Sequence, residues 1–255
     1  MVRLSVCIEM FWRDRPYEER IARVAGLGFQ AFEFWGWEGK DLAKIKSAAA
    51  MHNLAVAALC LEPGFSLVRR NHEAELVRGM KETAAVAREL GCKTIIATAG
   101  NTYDDESYEI TRRRVVRQTA AVARVAEDNG LTLVIEPLNT LVDHHGYWLR
   151  RLSQAVDIVE EIGSPAVKIL DDIYHQQITE GNIIPNLTAY IHHIGHFHTA
   201  GHPGRHELVG GELDYRAIFK AIDETGYSGY VGLEYAPTMD TGLSLKQALS
   251  LVAGD

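Results

Sequence analysis

Eight times along 255 residues, a short apolar run gives way to a longer stretch of helical periodicity, and few architectures accommodate that order. The runs are RLSVCIE from residue 3, AFEFWG from 31, LAVAALCL from 54, TIIATAG from 94, TLVIEPL from 132, VKILDD from 167, IGHFHTA from 194 and YVGLEYA from 230. Most are rich in β-branched and aromatic side chains, which suit a pleated surface. The stretches between them place apolar residues three and four apart, as in Leu76, Val77, Met80, Ala84, Ala87 and Leu90, or Leu152, Ala155, Val156, Val159 and Ile162. Gly91, Gly130, Gly163 and Gly226 fall just past such stretches, where a left-handed residue without a Cβ ends a helix. Eight such units in a chain of this length predict an α/β fold, a single (β/α)8 TIM barrel with one domain over residues 1–255. A doubly wound open sheet is the rival. No G-x-G-x-x-G or G-x-x-x-x-G-K-[ST] follows any candidate strand, which removes the usual cofactor reason for that alternative.

Charge and cysteine usage narrow the partners. With 26 Lys and Arg against 34 Asp and Glu, the net charge of −8 disfavours sequence-independent binding to nucleic acid or to anionic membranes. Cys7, Cys60 and Cys92 are widely spaced and sit in apolar runs, so they read as buried thiols rather than disulfides or a zinc knuckle, in a reducing compartment. The first residues are too interrupted for a signal peptide, and no run approaches the ~18 apolar residues of a membrane span. A cytoplasmic protein acting on small molecules, alone or as a homo-oligomer, is the expectation.

In a barrel of this kind the active site lies at the carboxyl ends of the strands. Four consecutive strands carry a metal-ligand type there: Glu136 in VIEPLN, Asp172 in LDDIYH, His198 in GHFHTAG and Glu234 in GLEYAP. Any one carboxylate at a strand end is more simply an ion-pair partner or a loop cap; four neighbouring strands agreeing is not explained that way. Three carboxylates and an imidazole suit one divalent metal ion, Mg²⁺ or Mn²⁺ first, with Co²⁺ and Zn²⁺ as further options. Strand alternation puts His196 on the same side as His198, and Glu33 inside AFEFWG faces inward with a hydrogen-bonding role beside the site. His192 and His193 end the preceding helix, and His144 and His145 belong to a loop. Trp35, Trp37, Tyr147 and Trp148 follow strands on the catalytic face, where they are expected either to close the pocket or simply to pack the loops.

The segments IEPLN, DIYH, GHFHTAGHPGRHELVGGELDY and GYVGLEYAP resemble those of the hydroxypyruvate isomerase family, within the xylose-isomerase-like barrels, over nearly the whole chain. PGRHE followed by GGELDY is the most specific piece. The resemblance implies metal binding by Glu136, Asp172, His198 and Glu234, substrate contacts from His175 and Arg205, and Glu136 and Glu234 as the paired proton-transfer groups. It also implies a sugar or keto-acid substrate passing through an enediolate. His206 and Glu207 are expected either to complete a network that orients Arg205 or to belong to an ordinary surface loop. The chain departs from the pattern at His198, where hydroxypyruvate isomerases commonly carry Gln and the similar ketose 3-epimerases His, and at Ala236, where Lys or Gln is usual. The alternatives are therefore a ketose 3-epimerase of the D-tagatose 3-epimerase type, a metal-dependent AP endonuclease-like nuclease, which would need several zinc ions and a basic surface, and a non-catalytic sugar-binding protein.

Overall fold

The computed structural model describes residues 1–62 and 66–252. Eight parallel strands close into a barrel in chain order: β1 (Arg3–Cys7), β2 (Ala31–Phe34), β3 (Ala55–Cys60), β4 (Thr94–Thr98), β5 (Thr132–Glu136), β6 (Val167–Asp172), β7 (Ile194–Thr199) and β8 (Tyr230–Leu233). Each lies inside its expected run. Helices α1 (Tyr17–Gly26), α2 (Leu42–Met51), α3 (Glu73–Leu90), α4 (Tyr108–Asp128) and α5 (Leu152–Ile162) return the chain between the first six strands. Gly91 and Gly163 end α3 and α5 with φ of 69° and 66°, and Gly130 and Gly226 adopt 60° and 77°. The left-handed residues therefore stand where the sequence pattern places them.

Between β6 and β7 the connection holds two short helices rather than one, α6 (Ile173–Thr179) and α7 (Ile183–Tyr190), followed by a 3₁₀ turn, Ile191–His193. Gly181 and Asn182, with φ of 61° and 53°, make the break, and the left-handed pair is incompatible with one continuous helix. The imidazoles of His192 and His193 thus sit in the turn that leads into β7. Helices α8 (Tyr215–Glu224) and α9 (Thr241–Ser250) complete the outer ring. No helix among the described residues is long and apolar enough to cross a membrane.

Strand alternation divides the barrel interior into two unlike halves. Residues sharing parity with the strand-end donors point inward: Ala58, Ile96, Val134 and Leu170 of β3 to β6 form a separate apolar cluster with Cys60 packed on it. The opposite half, from β1, β2, β7 and β8, is polar: Ser5, Glu33, His196 and His198 are all at most 2% exposed, and Gly232 supplies no side chain. The outer faces of the strands pack on the helices as the large hydrophobic core. A dry wall therefore faces a polar one, and the donors open above both. The three cysteines are free thiols, two of them buried.

A candidate metal centre at the mouth of the barrel

Each donor reaches the centre because a strand ends there. Glu136 closes β5 opposite Thr98 of β4, and Asp172 closes β6 opposite His198 of β7. Glu234 follows β8 directly, its N–H bonded to the carbonyl of Thr199 at 3.0 Å. One ligand-type atom from each of Glu136, Asp172, His198 and Glu234 lies within 4.8 Å of the others, and all four side chains are buried. His198 Nδ1 stands 3.7 Å from Glu136 Oε1 and 3.6 Å from Glu234 Oε2, and it has no hydrogen-bond partner. Three carboxylates converging on one orphaned ring nitrogen, shut away from water, is a donor set that fits a divalent cation.

Asp172 serves two ends at once. As the N-cap of α6 it accepts from the N–H groups of Tyr174 and His175 through Oδ1, at 2.9 and 3.2 Å, which leaves Oδ2 turned to the site. Burial raises the pKa of Asp172, and Arg205 and His198 partly offset this. Burial works against a charged His198, yet Glu234 and Glu33 beside it hold its pKa well above the usual imidazole range. Burial would likewise raise Glu234, but His198 and then Arg205 outweigh it and keep it a carboxylate. Glu234 is also the most heavily held donor: the Trp35 indole donates to Oε1 at 2.7 Å, and the Arg205 guanidinium pairs with Oε2.

His175 and Arg205 stand beside these donors. The His175 ring is fully buried, and its Nδ1 lies 2.6 Å from the Asn139 amide nitrogen, so the partners assign its proton to Nε2. That Nε2 has no hydrogen-bond partner and lies 3.6 Å from Asp172 Oδ2. Burial first, and the Arg205 charge second, lower the His175 pKa to about 4, so the ring is a neutral donor at neutral pH. Arg205 adopts a left-handed φ of 59°, packs over the Tyr174 ring, and keeps its charge because Glu234, Asp172 and Glu136 outweigh the cost of its burial. With Trp35, Cys60, Ile96, Thr98, Leu138 and His144, the side chains of Glu136, His175, His198, Arg205 and Glu234 line a cavity of about 250 Å³. A larger cavity of about 370 Å³ lies between the β4–α4 and β5–α5 loops, lined by Tyr103, Tyr108 and Trp148 and by none of the four donors.

Several neighbours take the plainer of their two expected roles. Glu207 accepts from the Thr238 N–H and hydroxyl, both at 2.8 Å, and His206 Nδ1 contacts the Ala236 carbonyl at 2.8 Å. They fasten the loop backbone between β7 and α8 to the one after β8, rather than gripping the Arg205 guanidinium. Gly201 in that loop has no alternative, since a Cβ would lie 2.0 Å from the Glu207 carbonyl oxygen. Of the four aromatics, Trp35 roofs the cavity. Trp37 bonds to Thr83, Trp148 stacks on Tyr108, and Tyr147 links the Glu136 carbonyl to the Ala99 N–H as a buried strut. Asn139 and Asp143 were given no role by the sequence reading, Tyr174 stood in it only within DIYH, and His144 only as a loop residue. Asn139 is fully buried and donates to Asp143 Oδ2 at 2.7 Å, which also accepts from the Tyr174 hydroxyl, while His144 stacks edge-on against His175. The sequence signals for them were Asn139 at the end of IEPLN and Tyr174 within DIYH.

A closed parallel barrel whose strand ends gather a buried three-carboxylate, one-imidazole cluster is a (β/α)8 barrel with a candidate metal centre in the usual place for this architecture. Residues 21–251 match the xylose isomerase-like TIM barrel family, and the chain belongs to it. It is 31% identical to 2-oxo-tetronate isomerase of Cupriavidus necator, with 96% of each chain covered. It is 30% identical to hydroxypyruvate isomerase of Escherichia coli, over 96% of this chain and 98% of that one. Among solved structures, AP endonuclease, family 2, from Brucella melitensis superposes with a TM-score of 0.93 at 26% identity, covering 98% of this chain and 99% of that one.

Proposed function

We propose that this chain is a metal-dependent isomerase that moves a carbonyl between adjacent carbons of a small hydroxy-carbonyl compound, most like hydroxypyruvate isomerase, which converts hydroxypyruvate to tartronate semialdehyde. The observation that carries this reading is the cluster of four buried donors, two of them glutamates at the ends of β5 and β8. Relatives named for isomerisation of hydroxypyruvate and of a 2-oxo-tetronate, matched end to end, support it. The acidic net charge of −8 and the single four-donor cluster among the described residues favour a small substrate over the abasic DNA that the name of the Brucella protein suggests.

The residues divide the work by their chemistry. Removing a proton beside a carbonyl leaves charge on two adjacent oxygens, and a divalent ion held by Glu136, Asp172, His198 and Glu234 would supply the opposing charge and fix the geometry. Glu136 and Glu234 are the proton carriers: one takes the proton from carbon and the other the proton from the adjacent hydroxyl, and of these two protons one is delivered to the neighbouring carbon and one to the former carbonyl oxygen. His175, neutral and with a free Nε2–H, donates to a substrate oxygen. Arg205 is always charged and offers a planar fork suited to a carboxylate; engaging substrate means exchanging its present partner Glu234 for the ligand. The apolar wall of Ile96 and Leu138, under the Trp35 ring, keeps bulk water from the reacting carbons.

A ketose 3-epimerase uses the same proton chemistry at one carbon, and His198 is the observation that favours it, because those enzymes share that imidazole. Incubation with hydroxypyruvate and with small ketoses in the presence of Mg²⁺ or Mn²⁺ separates the two. Isomerised keto acid is the expected product, chelation should stop its formation, and re-addition of the ion should restore it; epimerised ketose alone would establish the second reading. Arg205→Lys should then lower kcat/KM by about tenfold or more with unchanged metal content, as expected when a bidentate contact becomes a point charge. Unchanged kinetics would make Arg205 a partner of Glu234 only.

A further inference from the structure

His198 offers two ring nitrogens, and only one can face the ion. Nδ1 points to Glu136 and Glu234, whereas Nε2 lies 2.8 Å from Glu33 Oε1, a close charge contact not aligned as a hydrogen bond. The other oxygen of Glu33 is held twice, by the Ser5 hydroxyl at 2.9 Å and by His196 Nε2 at 2.9 Å. Glu33, His196 and His198 are each at most 2% exposed. Their grouping depends on β8, where Gly232 pairs in register with His198. A Cβ at Gly232 would lie 2.3 Å from Glu33 Oε1 and 2.7 Å from His198 Cδ2, so the carboxylate reaches the imidazole only because this strand position has no side chain.

A buried carboxylate between two imidazoles is a poor device for stability alone, since apolar residues of similar volume commonly do as well or better. Holding the ring of a metal ligand from behind is a use that does need it: the outer contact fixes the tautomer and orientation and raises the basicity of the other nitrogen. We propose that Glu33 is a positioning residue for the metal centre, clamping Nε2 of His198 so that Nδ1 is the atom presented to the ion, with Gly232 as the gap that lets it reach. This rests on the reading of the four-donor cluster as a metal site. Ser5 and His196 lock the carboxylate in place; neither belongs to the donor set.

Two variants test this by different routes. Glu33→Gln keeps the size and removes the charge, and Glu33→Asp keeps the charge and withdraws it from His198 Nε2. Each purified chain is titrated with Co²⁺, and both the affinity and the visible absorption bands, which report ligand geometry, are recorded alongside thermal stability. Wild type should bind Co²⁺ with defined bands. Both variants should bind about 10- to 100-fold more weakly with altered bands. Wild-type affinity and bands in folded Glu33→Gln would overturn the proposal, as would a loss confined to thermal stability. If Glu33→Gln does not fold, Glu33→Asp decides by the same two outcomes. A wild-type chain that binds no divalent ion is a separate result, and it would remove the metal reading together with this inference.

Discussion

Replacing Glu136 by Gln is expected to lower turnover by about 10²- to 10⁴-fold, the range spanned by general acid–base catalysis, with the ion retained and KM little changed. Gln preserves the shape and one coordinating oxygen at the end of β5 while abolishing the basic site. Glu234→Gln should cost as much in turnover, but it acts on more contacts. Its carboxylate also receives the Trp35 indole at 2.7 Å and the Arg205 guanidinium, so metal content and substrate affinity are expected to shift along with rate. The comparison is read by measuring kcat, KM and bound metal on each variant. A chain that keeps its ion and near-normal turnover with both substitutions would remove the two glutamates from the proton transfer and leave a protein that binds sugar or keto acid without transforming it.

Loss of a carboxylate at position 172 is the second large effect. Asp172→Ala removes a donor and, with it, the N-cap of α6, so it should abolish metal retention and also destabilise the apo chain by about 1 kcal/mol. Asp172→Asn keeps the capping oxygen that Tyr174 and His175 donate to, and is expected to weaken metal binding by about 100-fold or more while leaving the apo chain at least as stable. That sign follows from burial, which raises the Asp172 pKa and makes its charge costly until a cation arrives. The same electrostatics fix a pH dependence. Because Glu234 and Glu33 hold the His198 pKa well above the usual value, the apo ring carries a proton at neutral pH that an incoming ion must expel. Metal uptake at neutral pH should therefore release about one proton, and apparent affinity should rise with pH until that ring is neutral. Calorimetry in two buffers of different ionisation enthalpy measures the proton count; no release, or affinity that falls as pH rises, would contradict the assignment of His198 as a ligand.

How much of this could be read from the chain follows from the range of the interactions involved. Strand parity is local, so Glu136, Asp172, His198 and Glu234 could be placed on one rim, and His196 beside His198, from the alternation of each run. The barrel followed because eight short periods of two alternate with longer periods of about 3.6. The division of the β6–β7 connection was less visible, since Gly181 and Asn182 lie within an otherwise helical pattern and interrupt it only through two left-handed conformations. Loop residues were legible as chemistry but not as geometry. Trp35 and Trp37 are two positions apart, yet one indole bonds to Glu234 and the other to Thr83 on α3, and nothing local distinguishes them. Asn139 links the β5–α5 loop to His175 on α6, a contact that exists only once β5 and β6 lie side by side. Glu33 was legible as an inward-facing carboxylate, whereas its grip on two imidazoles depends on Gly232, 199 positions away, being empty of side chain.

The most direct test of the central claim, a proton carried between adjacent carbons by side-chain carboxylates at a metal centre, is the fate of solvent hydrogen. The metal-loaded protein is incubated with hydroxypyruvate in D₂O, and substrate and product are followed by NMR and mass spectrometry, with chelated protein and Glu136→Gln as controls. Deuterium entering the carbon-bound positions in step with isomerisation, and absent from both controls, is the predicted result. Product formed with complete retention of the original hydrogen, and at an undiminished rate in Glu136→Gln, would show hydrogen passing between carbons without that base, and would contradict it.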